Sequence, residues 1–170
     1  MPRILLTGFE PFGPWEVNAS WEAVRLLTGR RRDAEAALLP VDHAAAAGAV
    51  RELARALCPG IVLLAGLTPD PVPRLERLGR AGPLAAQGGP PVRRGRWPWA
   101  AVRARVRRLP LRHSADAGGY VCDTTYWAAL GTAVPLVAFV HLPPIGAPWP
   151  AARAAAVLEA VLEAAEARRG

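Results

Sequence analysis

Cys122 closes the segment Ala117-Gly118-Gly119-Tyr120-Val121-Cys122-Asp123, where a glycine-rich turn runs into a helical stretch. A thiol in the first turn of a helix feels the positive end of the helix dipole, which lowers its pKa and favours thiolate. The glycine pair lets the backbone turn sharply just before it. Position alone leaves two readings of Cys122 open: a nucleophile, or a small buried core residue, the commonest role of a free cysteine. His141 follows the apolar run Ala138-Phe139-Val140 and precedes Leu142-Pro143-Pro144. That places an imidazole at the C-terminal end of a buried strand, where it can exchange protons with a thiol. The alternative is a histidine bonded to a loop carbonyl. His43, at a helix start, and His113, within or at the end of a strand, are weaker candidates. A Cys–His pair needs a third group to orient the ring. Glu76, in Pro73-Arg74-Leu75-Glu76-Arg77-Leu78, is a candidate, although on sequence logic alone it reads more readily as a solvated helical glutamate paired with an arginine. Cys58, ending a helix beside Pro59-Gly60, reads as inert packing.

Elements that position these residues follow from the apolar pattern. Strands are expected at Ile4–Thr7, Ala36–Pro40, Ile61–Ala65, Leu111–Ser114 and Leu136–Val140. Several are near-continuous runs of Leu, Ile, Val and Ala, which suit parallel strands buried on both faces. Between them fall helical stretches. One is capped by Asn18 or Ser20, and another runs from about Asp42 to Leu57. Trp99, Val102, Val106 and Leu109 sit at helical spacing. Further helices run over Asp123–Leu130 and onward from Pro150 or Ala151. The alternation predicts a three-layer α/β/α sandwich with a mostly parallel twisted sheet, residues 1–170 forming a single domain. Ligands in such folds bind beyond the C-terminal ends of the strands. There lie the loops Gly8–Val17, Gly66–Arg96, Ala115–Val121 and His141–Trp149, which hold or border Glu76, Cys122 and His141. The segment Pro69 to Pro98, rich in Gly, Pro and Arg, reads as one long functional or disordered loop.

Composition narrows the classes. Hydrophobic residues make up 52% of 170 positions, which excludes a disordered chain. The sequence shows no apolar run long enough to span a bilayer and no signal-peptide pattern, so a cytoplasmic protein without membrane contact is expected. No CxxC or Cys/His cluster has metal-ligand spacing, so no metal site is expected. The net charge is +7 and every cation is arginine. Arg93, Arg94, Arg96, Arg103, Arg105, Arg107, Arg108 and Arg112 crowd one stretch. Such a patch can bind phosphate backbones. No nucleic-acid motif accompanies it, so a solvated helix face is the favoured reading and no nucleic-acid partner is expected.

The N-terminal string Leu5-Leu6-Thr7-Gly8-Phe9-Glu10-Pro11-Phe12-Gly13, followed by Val17-Asn18-Ala19-Ser20-Trp21-Glu22, resembles the opening of the pyrrolidone-carboxylate peptidases, or type I pyroglutamyl peptidases. Three further segments match in the same order: Ala65-Gly66 with Pro73 to Leu78, Ser114 to Asp123, and Phe139-Val140-His141-Leu142-Pro143. The resemblance implies an α/β sandwich and a cytosolic cysteine exopeptidase that uses no cofactor. Its substrates would be peptides with N-terminal pyroglutamate, and its members often form homo-oligomers, a dimer or a tetramer here. It implies Glu76, Cys122 and His141 as the triad. It also implies Phe9 and Phe12 on the pyrrolidone ring, Asn18 near the pocket, and a lactam contact from the Leu67 backbone. On the residues alone, Phe9 and Phe12 read equally as core and Asn18 as a helix cap.

Three features depart from the family pattern. The chain is shorter than usual. Ungapped alignment from Glu76 puts Ala86 where the family has an arginine that supports the oxyanion, with Arg80 the nearest substitute. Asp123 replaces the usual asparagine after the cysteine, and its carboxylate opposes thiolate formation. These departures motivate an alternative, a degenerate homologue that binds a small lactam or peptide N-terminus without turnover. An arginine-rich nucleic-acid-binding protein is the third reading.

Overall fold

A computed structural model describes residues 4–106 and 109–167. Among them the chain runs β1 (Ile4–Phe9), α1 (Ala19–Thr28), β2 (Ala34–Leu39), α2 (His43–Leu57), β3 (Ile61–Leu67), β4 (Arg74–Glu76), β5 (Leu78–Arg80), a 3-10 helix (Gly82–Gln87), β6 (Val92–Arg94), α3 (Trp99–Arg105), β7 (Arg112–Ser114), α4 (Val121–Leu130), β8 (Leu136–Leu142) and α5 (Ala151–Glu166). The main sheet has the order β2-β1-β3-β8-β4-β7. β2, β1, β3 and β8 are parallel, β4 is antiparallel to β8, and β7 follows β4 in parallel. β5 and β6 form a separate antiparallel pair.

Every residue of β1 and β3 is buried, the burial expected of parallel strands covered on both faces. One face carries α1, α3 and α5, whose Val24, Leu27, Val102, Leu158 and Val161 join a single core cluster. The other carries α2 and α4, with Val50, Tyr126, Trp127 and Leu130 in a second cluster. The expected three-layer α/β sandwich is therefore present. None of the described helices is long and apolar enough to cross a membrane.

Local chemistry sets the helix starts. The Asn18 side chain accepts from the Ser20 amide and caps α1, while that of Asp42 accepts from the Ala45 amide and caps α2. Several boundaries differ from expectation. β1 runs on to Phe9 and β3 to Leu67, α4 starts at Val121 rather than Asp123, and α3 ends at Arg105, short of Leu109. His141 lies within β8 rather than beyond its end. The expected long loop at residues 69–98 instead holds β4, β5, the 3-10 helix and β6. Strands of three residues are too short for an alternating pattern to register.

The arginine-rich stretch is not one solvated helix face. Arg93 lies over the Trp127 ring, 4.0 Å from its centroid, and donates to the Trp127 carbonyl at 2.8 Å. Arg96 donates to the carbonyls of Leu130, Thr132 and Val134. Both guanidinium groups sit at the C-terminal end of α4, where cations complement the helix dipole. Arg105 pairs with Glu163 of α5. Arg107 and Arg108 lie outside the described residues.

Backbone contact between layers makes a test. A Cβ on Gly8 would stand 2.7 Å from Trp21 N and Cα in α1, whereas one on Gly48 in α2 meets nothing within 4 Å. We expect Gly8→Ala to lower stability by about 1–3 kcal/mol through overpacking. Gly48→Ala should raise it by about 0.5–1 kcal/mol through helix propensity. Urea denaturation of both variants reads this; equal midpoints would contradict the close approach of α1 to β1.

Candidate active site

The reversal of β4 brings the candidate residues together. In register with β8, Arg74 lies opposite His141 and Glu76 opposite Phe139. Alternate residues share a face of a sheet, so Glu76 and His141 are diagonal neighbours on one face, within reach of long side chains. His141 Nδ1 lies 2.8 Å from Glu76 Oε1. A carboxylate accepts, so the ring proton sits on Nδ1 and Nε2 is left as the free acceptor. Glu76 is fully buried, a correction to the solvated helical glutamate that sequence logic favours. The Tyr126 hydroxyl donates to its backbone carbonyl at 3.1 Å, and Arg74 Nε stands 3.4 Å from Oε1.

Cys122 reaches the same place from α4. Gly66 pairs with His141 across β3 and β8, and a Cβ on Gly66 would lie 2.8 Å from Cys122 Sγ and 2.8 Å from Phe139 Cζ. The sulfur thus occupies space left by the missing side chain, over the register neighbour of His141. Phe139 stacks against the His141 ring, with centroids 4.8 Å apart.

Burial pushes the Cys122 thiol up to about 12, and the nearby carboxylates of Glu76 and then Asp123 push the same way. Its own backbone N–H and Arg74 oppose this. The helix start pulls the thiol pKa down, while burial and the two carboxylates push it up. The opposing effect expected of the Asp123 carboxylate is present.

Cys122 and His141 open on a pocket of about 370 Å³. Phe9, Phe12, Asn18 and Leu67 line it as well, so the pocket brings six of the seven expected site residues to one surface, with Glu76 behind His141. Asn18 does two things: it caps α1 and donates from Nδ2 to the Glu10 carbonyl at 3.0 Å, while forming part of the wall. Trp15, Val41 and Tyr120 complete an apolar rim that the sequence did not single out. They come from three loops beyond different strands, and only the fold gathers them. The pocket lies beyond the C-terminal ends of β1, β3 and β8, as the strand order requires.

Other candidates fall away from this pocket. His43 Nδ1 lies 3.0 Å from Thr124 Oγ1, and His113 packs edge-on to Trp99. Cys58 is exposed at the left-handed C-cap of α2, rather than packed, and lines a separate recess. Ala86 sits on the 3-10 helix, with its side exposed. Arg80 does not line the pocket, and its guanidinium is engaged with Ala115, Asp116 and Asp123. Among the described residues no group of three or more His, Cys, Asp or Glu is placed to hold a metal ion.

The Pyroglutamyl peptidase family model matches residues 2–79. A pyrrolidone-carboxylate peptidase of Chromobacterium violaceum is 35% identical over 165 residues, covering 84% of this chain and 78% of that protein. Human pyroglutamyl-peptidase 1 is 30% identical over 183 residues, covering 94% of this chain and 88% of the human protein. The crystal structure of pyrrolidone carboxyl peptidase from Thermus thermophilus superposes with a TM-score of 0.84 at 34% identity, covering 94% of this chain and 98% of that one. By these alignments the chain belongs to the pyroglutamyl peptidase family of cysteine peptidases.

Proposed function

We propose that this protein is an exopeptidase that hydrolyses the bond after an N-terminal pyroglutamyl residue, with Cys122 as nucleophile, His141 as general base and acid, and Glu76 orienting the ring. The observation that carries the reading is the 2.8 Å contact of His141 Nδ1 with Glu76, behind a pocket that Cys122 also lines. Pyroglutamate is a neutral, compact ring. Phe9 and Phe12 offer apolar walls for it, and backbone groups near Leu67 would partner the lactam N–H and C=O.

In the first step attack and deprotonation go together. As Cys122 Sγ bonds to the scissile carbonyl carbon, its proton passes to His141 Nε2. The carbonyl oxygen takes the electron pair. Free N–H groups in the first turn of α4 can hold the negative oxygen. Collapse breaks the C–N bond while imidazolium gives its proton to the leaving amine. A thioester remains on Cys122. Water, losing a proton to His141, then releases pyroglutamic acid and restores the thiol. Glu76 stabilises the imidazolium throughout.

Purified protein should release a fluorophore from a pyroglutamyl amide. Cys122→Ser should abolish release, and Cys58→Ser should leave it intact. Binding of 2-pyrrolidone with thermal stabilisation but no hydrolysis would favour the lactam-binding alternative, which the absent oxyanion arginine keeps in view. Glu76→Gln preserves shape but loses the charge and tautomer control. It should lower kcat by about 10²- to 10⁴-fold, and steady-state kinetics showing less than about a threefold change would remove Glu76 from the triad.

Titration supplies a further check. The folded thiol is raised above its unfolded value, so it stays protonated while an unfolded thiol ionises, and stability falls as pH rises from the ordinary thiol range toward about 12. In the ligand-free Cys58→Ser protein, ultraviolet thiolate absorbance should show no step below about pH 10. A step near neutrality would show instead that the helix dipole prevails.

A further inference from the structure

We propose that Arg80 and Asp123 form a clamp that fixes the turn leading into Cys122, which makes Arg80 a positioning residue for the nucleophile. The inference rests on the assignment of Cys122 above and adds the part that holds it in place.

Asp123 is 1% exposed and follows Cys122 in the first turn of α4. Its Oδ1 accepts from the Arg80 backbone amide at 2.8 Å, and its Oδ2 accepts from the Gly119 amide at 3.2 Å. Arg80 Nη1 stands 3.5 Å from the same Oδ2. Arg80 Nη2 reaches across to the Ala115 carbonyl at 2.8 Å, while Nη1 stands 3.4 Å from Asp116 Oδ1. Asp116 Oδ1 in turn accepts from the Gly118 amide at 3.0 Å. The two ends of the turn are therefore tied to Arg80, Ala115 directly and Gly119 through Asp123.

Gly118 and Gly119 both have positive φ, +92° and +71°, so the turn takes a conformation with little intrinsic preference among alternatives. Something outside the turn must select it. β5 is a suitable anchor, since a Cβ on Gly79 would lie 2.6 Å from Trp127 N, which shows β5 seated directly on the backbone of α4. Arg80 also balances charge. Asp123 is a buried carboxylate next to the thiol, and without a cation it would oppose thiolate formation more strongly. Arg80 itself is 37% exposed in its side chain, so the surface ion pair with Asp116 adds little to stability. The clamp serves geometry and local charge instead.

The test compares Arg80→Met, Asp123→Asn and the double variant, all in the Cys58→Ser background. Arg80→Met should lower kcat by about 10²-fold, the scale of a misplaced catalytic group, with KM changed less than about threefold. Alkylation of Cys122 by iodoacetamide at fixed pH should slow in Arg80→Met. The double variant, which no longer buries an unpaired carboxylate, should recover about tenfold in both readouts over Arg80→Met. Wild-type rates in Arg80→Met, or a double variant no faster than Arg80→Met, would overturn the clamp. Alkylation needs no turnover, so a wild-type protein without hydrolysis would sink the proposed function while leaving the clamp measurable. If Arg80→Met does not fold, Arg80→Lys decides. Lysine keeps the charge but cannot bridge Ala115 and Asp123 together, so kcat should fall about tenfold at constant KM, and an unchanged kcat would refute the proposal.

Discussion

A carboxylate with no exposure sits at the centre of this molecule, and the surrounding architecture makes it tolerable. Burying the Glu76 charge without partners would cost several kcal/mol. His141 on the neighbouring strand answers it at 2.8 Å, and Arg74 stands by at 3.4 Å on the same face. That pairing requires β4 to run against β8, the one reversal between neighbouring strands of the main sheet. A parallel β4 would bring a different set of residues alongside His141. Gly66 leaves room for the Cys122 sulfur, and Tyr126 and Phe139 pack against each other alongside, with Phe139 next to the imidazole.

α4 ties this centre to the rest of the fold. Its first turn carries Cys122, and its last turn is met by Arg93 and Arg96. The helix has almost no solvent-exposed face: every residue from Asp123 to Leu130 is buried. It therefore depends on its ends for alignment. Packing fixes its axis, while the end contacts set its depth along that axis and so the distance of the sulfur from the sheet.

Much of this was legible in the residues. The continuous apolar runs of β1, β3 and β8 marked a parallel sheet. The glycine pair before Cys122 marked a helix entry, and Asn18 marked a cap. Those signals are local and strong. β4 was not legible, because three residues carry no period and Glu76 between Leu75 and Arg77 looks like any solvated glutamate. Its burial comes from a partner 65 positions away. The arginine stretch misled for a related reason. A guanidinium that caps a distant helix has the same local sequence as one in solvent. The thiol shows the same limit: the helix dipole can be read from sequence position, whereas dehydration depends on the whole enclosure.

The guanidinium groups at the far end of α4 have one more consequence. Burial lowers the pKa of Arg93 and of Arg96, yet a guanidinium starts so high that both stay charged through the neutral range. Lysine is absent from the chain, so no amine stands in for them. The charge at that end of the helix is thus the same across the neutral range. Near neutrality the pH profile of the site is therefore set by groups at the reactive end and not by the two cations at the far end of the helix.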